Sequence, residues 1–253
     1  MRPYILAETN WEALKDASID LAVLPWGATE AHNFHLPYST DNIESDSIAA
    51  GSAAIAWEKG ARVMVLPAIP FGVNTGQKDI FMSINMNPGT QYAILNDIIE
   101  GLDRQGVHKL LIMNSHGGND FKPVVRELGL IYPGMFIAIA EWFRMPDIKD
   151  HFGNPGDHAG EMETSLLLYL RPELVLPEEK WGKGKEKRNR IKAFGESWAW
   201  TERRWSQVSE DTGIGDPAGA SREKGEKFYR AACKRMAELF IEICNADIGD
   251  MYE

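Results

Sequence analysis

Cysteine is scarce in this sequence, and long apolar runs are missing. The chain of 253 residues has two cysteines, Cys233 and Cys244. Both fall within one predicted C-terminal helix and lie too far apart along it to be bridged, so we expect free thiols, as in a reducing cytosol. No run reaches the roughly 18 apolar residues of a membrane span, and residues 1–16 lack the apolar core of a signal peptide. These absences predict a cytoplasmic protein without a membrane partner.

The sequence has fewer basic than acidic residues. Lys and Arg total 27 against 37 Asp and Glu, a net charge of −10. An acidic protein repels phosphate backbones, so we expect no nucleic-acid partner. One segment is locally basic, and it is either a solvated loop or a contact for an anion or partner. Its basic residues are Lys183, Lys185, Lys187, Arg188, Arg190 and Lys192.

Short apolar runs alternate with amphipathic segments along the chain. Strands are predicted at 21–26, 62–67, 109–113 and 135–140. Helices are predicted at 45–58 (with Ser45 as N-cap), 90–104, 121–130, 163–170 and 221–245. This alternation predicts a mostly parallel sheet with helices on both faces, a three-layer α/β/α fold. We expect one domain over residues 1–253.

Polar residues follow the first predicted strand, where open parallel sheets place their sites. Glu30 and His32 are two apart, so in an extended segment they point to the same side. Asp41 follows nine residues after His32, across a loop that Pro37 makes rigid, and can approach the same site. Imidazole and carboxylate ligands suit Zn, Mn or Fe better than Ca. The alternative is a polar loop whose side chains are satisfied by hydrogen bonds.

A second polar group, residues 114–119, follows the third predicted strand. Its His116 would point from the strand end into the same crevice. Gly117 and Gly118 permit a close approach of the backbone. The alternative is a helix-entry turn with a hydrogen-bonded histidine.

A third group, residues 157–165, opens a helix. His158 and Glu161 would share a helix face if the helix has already begun there. The alternative is that Glu161 and Glu163 only stabilise the helix N-terminus through its dipole. The chain has six histidines, and four of them lie in the three groups: His32, His35, His116 and His158. Together the groups predict a metal site.

These motifs resemble those of the creatininase (creatinine amidohydrolase) family. The family pattern G-x-x-E-x-H-G-x-H-L-P-x-x-x-D is similar to residues 27–41, and N-G-H-G-G-N is similar to residues 114–119. The pattern H-A-G-E-x-E-T-S matches residues 158–165, and G-x-G-D-P matches residues 213–217. The matches occur in family order over nearly the whole chain.

The resemblance implies two divalent metal ions per chain, Zn or Mn, with Fe also compatible, and a homo-oligomer that is often a hexamer. Carried over by position, Glu30 and His116 bind one ion, and His32 and a further glutamate bind the other. Asp41 bridges the two ions beside a water that attacks the substrate.

The further glutamate and the proton carrier come from the third group. Creatininase itself has a glutamate at the position of Gly118, which cannot bind metal. Glu161 is chosen in its place because it lies one turn from His158, and Glu163 is the alternative. His158 resembles the family's proton-transfer residue, so His158 and Glu161 are the catalytic candidates.

The substrate pocket departs from the family pattern. The loop that begins at Asn74 has lost the family's Ser and His, and Gly117 replaces a tyrosine that contacts substrate. With Trp142 and Asp157 these are the candidate substrate-binding residues. Four of the tryptophans lie close together in the sequence. They form a lid over the site, an interface with a neighbouring subunit, or the internal packing of a long surface segment. They are Trp181, Trp198, Trp200 and Trp205.

These residues predict a metal-dependent amidohydrolase that opens a C–N bond of a small cyclic amide or formamide with a metal-activated water. A peptide-processing metallohydrolase of the same fold is the first alternative. A non-catalytic metal-binding relative is the second.

Overall fold

Four parallel strands form the central sheet, in the order β2-β1-β3-β4. They are β1 (Leu21–Trp26), β2 (Val63–Val65), β3 (Lys109–Asn114) and β4 (Phe136–Glu141). The computed structural model describes residues 2–145 and 148–252. In the register, Leu21 pairs with Val63 and Val23 with Leu111. Trp26 pairs with Asn114, so β1 and β3 end side by side.

Longer helices connect and cover the strands. They are α1 (Thr40–Glu58), α2 (Pro88–Arg104), α3 (Lys122–Ile131), α4 (Glu161–Leu170) and α5 (Arg222–Asn245). Single-turn helices lie at Trp11–Leu14, Ile148–His151, Lys192–Gly195 and Trp205–Val208. Short 3-10 helices lie at Leu6–Glu8, Thr75–Gln77, Trp142–Arg144, Pro172–Leu174, Glu178–Lys180 and Pro217–Gly219.

The two faces of the sheet bury separate apolar clusters because side chains alternate along each strand. Leu21 and Val23 of β1 pack in one cluster with α1, α4 and α5. Ala22 and Leu24 pack in the other with α2 and α3. Helices therefore cover both faces, and the predicted three-layer α/β/α fold is confirmed. Within the described ranges, no helix is both long and apolar enough to cross a membrane.

The start of α1 differs from the prediction. The helix was predicted to begin after Ser45, but it begins at Thr40, and Ser45 lies buried in its interior. The first turns carry buried polar residues, among them Asp41 and Glu44, where an ordinary amphipathic helix would carry apolar ones. Periodicity of apolar residues therefore could not detect these turns.

The bounds of β2 and α4 also differ from the predictions. The second strand is shorter than predicted, although the Leu66 backbone N–H still donates to the Val23 carbonyl at 2.8 Å. Helix α4 begins at Glu161, two residues before the predicted start, so both Glu161 and Glu163 lie in its first turn. Their positions on the helix decide which of them reaches the polar cluster described below.

Candidate metal centre

Three buried histidines are each held through one ring nitrogen by a backbone carbonyl. The bonds are His32 Nδ1 to Glu30 O at 3.1 Å, His116 Nε2 to Val73 O at 3.0 Å, and His158 Nε2 to Ala31 O at 2.8 Å. A carbonyl oxygen only accepts, so the bonded nitrogen carries the hydrogen. The other ring nitrogen of each histidine is left for a different partner. Metal-binding histidines are oriented in this way.

These remaining ring nitrogens meet carboxylates. Nε2 of His32 lies 2.8 Å from Asp41 Oδ1. Nδ1 of His116 lies 2.9 Å from Glu30 Oε1 and 3.0 Å from Asp41 Oδ2. Nδ1 of His158 lies 3.8 Å from Glu30 Oε1. The histidines and carboxylates therefore form one continuous cluster.

Among the residues that the structure describes, three overlapping groups of atoms in this cluster are suited to binding a metal ion. The ligand atoms of each group lie within 4.8 Å of one another. The groups are Glu30, His32 and His158; Glu30, Asp41 and His116; and His32, Asp41 and Glu163. This mixture of imidazole and carboxylate fits a Zn, Mn or Fe ion. Sharing of Asp41 between two groups fits a carboxylate that bridges two ions.

Charge coupling inside the cluster is strong. Burial alone would lower the pKa of His32, but the Asp41 carboxylate raises it to about 10. Burial likewise opposes protonation of His116, yet Glu30 and Asp41 raise its pKa well above the ordinary value. The two imidazoles thus hold protons where a cation would bind, and metal binding would release them.

The strand ends and the turn after β3 place these side chains. Asp41 lies in the first turn of α1, where the helix dipole favours a carboxylate. Asn119 donates from Nδ2 to Asn114 Oδ1 at 3.0 Å, and its own Oδ1 accepts from the Val73 N–H at 3.0 Å. Val73 in turn accepts the hydrogen bond that orients His116.

There is no room for a side chain at Gly118. A Cβ added there would lie 2.3 Å from the Val73 oxygen and 2.4 Å from His116 Nε2. Any side chain would therefore break the hydrogen bond that orients His116. This geometry agrees with the expectation that position 118 supplies no ligand.

Glu161 and Glu163 have different partners. Glu163 accepts a hydrogen bond from the Ala159 N–H and lies in the group with His32 and Asp41. Burial raises the pKa of its carboxyl to about 7. Glu161 instead forms an ion pair with Lys224 and accepts from the Asn154 N–H at 3.0 Å.

The structure therefore does not place Glu161 where the prediction required it, either as a ligand or as a catalytic group. Residues two apart on an α-helix point about 200° apart, so one docking of α4 can direct only one of the two carboxylates into the cluster. Glu163, the alternative named from the sequence, is the one that reaches it.

Two buried residues beside the cluster were missed in the sequence. Gln77 donates from Nε2 to Glu30 and accepts from Ser83 Oγ at 2.8 Å, so it holds the Glu30 carboxylate in place. Glu44 is fully buried, and its pKa is raised well above the ordinary value by burial and by Glu163 and Asp41. The three-residue spacing of Asp41 and Glu44 would have been a signal only if the helix had been predicted to begin at Thr40.

The predicted substrate-binding residues are spread over different environments. Asn74 is buried and donates to the Ile84 carbonyl at 3.1 Å, so its side chain ties down its own loop. Trp142 is only 1% exposed and donates to Ser115 Oγ at 2.7 Å. Both face the interior because their polar atoms are satisfied there. Contact of Trp142 with a substrate stays a prediction.

The other two candidates lie at the surface. Gly117 is exposed, with open space around the position of a Cβ. Asp157 is exposed and pairs with Arg203 at 2.8 Å. Contact of Gly117 or Asp157 with a substrate stays a prediction.

Two tryptophans of the Trp-rich segment contact buried histidines. The Trp205 ring lies 4.6 Å from the His158 ring, and the Trp181 ring stacks at 4.9 Å on His35. Trp198 and Trp200, by contrast, are 75% and 82% exposed. Trp205 therefore packs on His158, and a lid function of the segment stays a prediction.

Fold and site together define a class: an α/β protein with a buried histidine–carboxylate centre at the carboxyl ends of a parallel sheet. The family model described as creatinine amidohydrolase matches residues 7–240. The chain belongs to this creatininase family, whose named members among its relatives are hydrolases.

Two named relatives differ in their activities. The creatinine amidohydrolase of Pseudomonas putida is 27% identical over 196 residues, covering 67% of this chain and 73% of the relative. The mycofactocin precursor peptide peptidase of Mycobacterium tuberculosis (strain H37Rv) is 29% identical over 218 residues, covering 83% and 80%. The family therefore includes both a small-amide hydrolase and a peptidase.

Solved structures share the fold. A Bacteroides fragilis protein provisionally named creatinine amidohydrolase is 40% identical, with a TM-score of 0.92 over 100% of both chains. A manganese form of creatininase is 22% identical, with a TM-score of 0.79 over 96% of this chain and 99% of that one. A Zn-Zn form of a creatininase mutant is 21% identical, with a TM-score of 0.78 over the same shares.

Proposed function

We propose that this protein is a metal-dependent amidohydrolase that opens the C–N bond of a small cyclic amide or formamide. The arrangement of His32, His116 and His158 carries the proposal. Each ring gives one nitrogen to a backbone carbonyl and turns the other toward buried carboxylates. Such an arrangement is costly to bury unless the carboxylates hold a cation.

The proposed centre holds two divalent cations, Zn or Mn, by analogy with the Zn-Zn and Mn creatininases. Glu30 and His116 would hold one, and His32 and Glu163 the other, with Asp41 between them. Two cations there would lower the pKa of a water molecule and polarise the amide carbonyl.

His158 is the proposed proton carrier. Its Nε2–H is fixed on the Ala31 carbonyl, so Nδ1 is directed toward Glu30. Burial and the nearby His32 lower its pKa to about 4, so without metal it holds no proton at Nδ1 near neutrality. It can therefore take a proton there and pass it to the leaving nitrogen, while Trp205 excludes bulk water.

The test is metal content and turnover of the purified protein. We expect about two cations per chain after reconstitution with Zn or Mn, and hydrolysis within a panel of cyclic amides, formamides and short peptides. Asp41→Ala should lose both properties, because two cations would share too little negative charge. The control Asp46→Ala removes an exposed carboxylate of the same helix and should keep both. Wild-type protein that takes up neither metal would overturn the proposal.

A peptidase is the second candidate function, and the similarity to the mycofactocin precursor peptide peptidase favours it. The same panel separates the two. Cleavage of short peptides without turnover of small amides would select the peptidase.

Assembly and location are further proposals. We propose a homo-oligomer, with a hexamer as the first expectation, which light scattering on the purified protein measures. Cys233 and Cys244 are free, as a reducing compartment allows. The cytoplasmic location and the absence of a nucleic-acid partner stay predictions.

A further inference from the structure

Glu44 of α1 carries a buried carboxyl group. Its side chain is 0% exposed, and neither Oε1 nor Oε2 forms a hydrogen bond with any described residue. A buried carboxyl without a hydrogen bond or a cation opposes folding. The stability of the fold therefore does not explain why a glutamate is buried at this position.

The location of Glu44 connects it to the proposed metal centre. It follows Asp41 by three residues, so the two carboxyls lie on the same face of α1. The charged groups that act on it are Glu163 and Asp41, both acidic. Glu163 and Asp41 in turn form one of the three ligand groups together with His32. Glu44 thus adds a carboxyl beside a group that already carries two.

We propose that Glu44 supports the metal centre from outside the three ligand groups, where its negative charge would strengthen binding of the cation held by His32, Asp41 and Glu163. The inference rests on the proposed function. Like-charged carboxylates that crowd together in a core repel one another, and they are compensated either by a proton or by a cation. With two divalent cations in place, Glu30, Asp41, Glu163 and Glu44 would balance their charge.

The proposal predicts opposite effects on folding and on metal binding. In the metal-free protein, Glu44→Leu should raise Tm by a few degrees, because it replaces an unpartnered carboxyl with an apolar side chain. The same variant should bind the second cation about ten- to a hundred-fold more weakly, as loss of a supporting carboxylate does in other metal sites.

The experiment titrates Zn²⁺ and Mn²⁺ into wild type, Glu44→Leu, Glu44→Gln and Glu58→Gln by calorimetry. Each protein is also melted with and without metal. Glu58→Gln is the matched control, because it removes the same carboxylate from the exposed end of the same helix. We expect weaker second-site binding and a smaller metal-induced rise of Tm in both Glu44 variants, and no change in the control.

The outcomes separate the two proposals. If wild type binds two cations and both Glu44 variants bind them with wild-type affinity, Glu44 has no part in the centre, while the proposed function stands. If wild type binds no cation, the proposed function fails and the role of Glu44 fails with it. A purely structural role would shift Tm equally with and without metal. Glu44→Gln keeps the size of the side chain, so the test holds even if Glu44→Leu does not fold.

Discussion

Two glutamates in the first turn of α4 have different surroundings. Glu163 faces His32 and Asp41, whereas Glu161 is paired with Lys224 at the start of α5. Lys224 also donates to the Gly219 carbonyl at 2.7 Å, so this pair joins α4 to the turn before α5. Two glutamates of one turn therefore have different expected phenotypes.

We expect Glu163→Gln to lower metal content sharply, because it removes a negative charge that the cation needs. The Tm of the metal-free protein should change little, because no cation is then lost. Glu161→Gln should keep the metal but lose about 1–3 kcal/mol of unfolding free energy, since the Lys224 ammonium loses its partner. Elemental analysis and urea unfolding measure the two effects. Loss of metal in Glu161→Gln with full retention in Glu163→Gln would reverse the assignment.

At the scale of elements, the crossing of α4 and α5 keeps Glu163 in position. The two helices approach closely at Gly225, where an added Cβ would lie 1.9 Å from the Ser165 carbonyl oxygen. Ser165 also accepts from the Ser221 N–H at 3.2 Å, just before α5 begins. A glycine in the interior of α5 is tolerated because it permits this contact.

Gly225→Ala should therefore destabilise the protein by about 1–3 kcal/mol, although alanine is the better helix former. Gly129→Ala in α3 is the control, because a Cβ added at Gly129 would meet no other described residue within 4 Å. That variant should be neutral or gain up to about 1 kcal/mol. Chemical denaturation of both variants measures the difference, and equal stabilities would contradict the packing argument.

The whole molecule brings together segments that are far apart in the chain. Because β1 and β3 are neighbours and end together at Trp26 and Asn114, residues 27–41 and 115–119 lie at one edge of the sheet. Helix α4 then adds Glu163 from a third region. The cluster therefore forms only in the folded state, and cation binding should stabilise the fold.

Removal of metal should lower the thermal stability of the whole chain. At a free metal concentration of about 100 times Kd, one site adds about 2.7 kcal/mol, which corresponds to roughly 5–10 °C in Tm for a protein of this size. Scanning calorimetry before and after chelation, with re-addition of Zn²⁺, measures this shift. Asp41→Ala should show almost none. A wild-type Tm that is insensitive to chelation would argue against a cation in the core.

Local sequence was sufficient to predict the architecture and to name most residues of the candidate site. Apolar runs such as Leu21–Trp26 and Lys109–Asn114 identified the strands, because a buried parallel strand needs apolar side chains on both faces. Motif spacing and the family resemblance named Glu30, His32, Asp41 and His116 as candidates, and the structure brings them together because they lie beside strand ends that share one edge.

The remaining decisions depended on packing between distant segments. The docking of α4 against α5 selects Glu163 over Glu161, and the burial of Trp142 follows from its contact with Ser115. Glu44 was not predicted because the first turns of α1 carry polar residues, so the apolar periodicity did not indicate a helix there. Spacing along a chain defines which residues share a face, but the direction of that face is set by the neighbouring elements against which it packs.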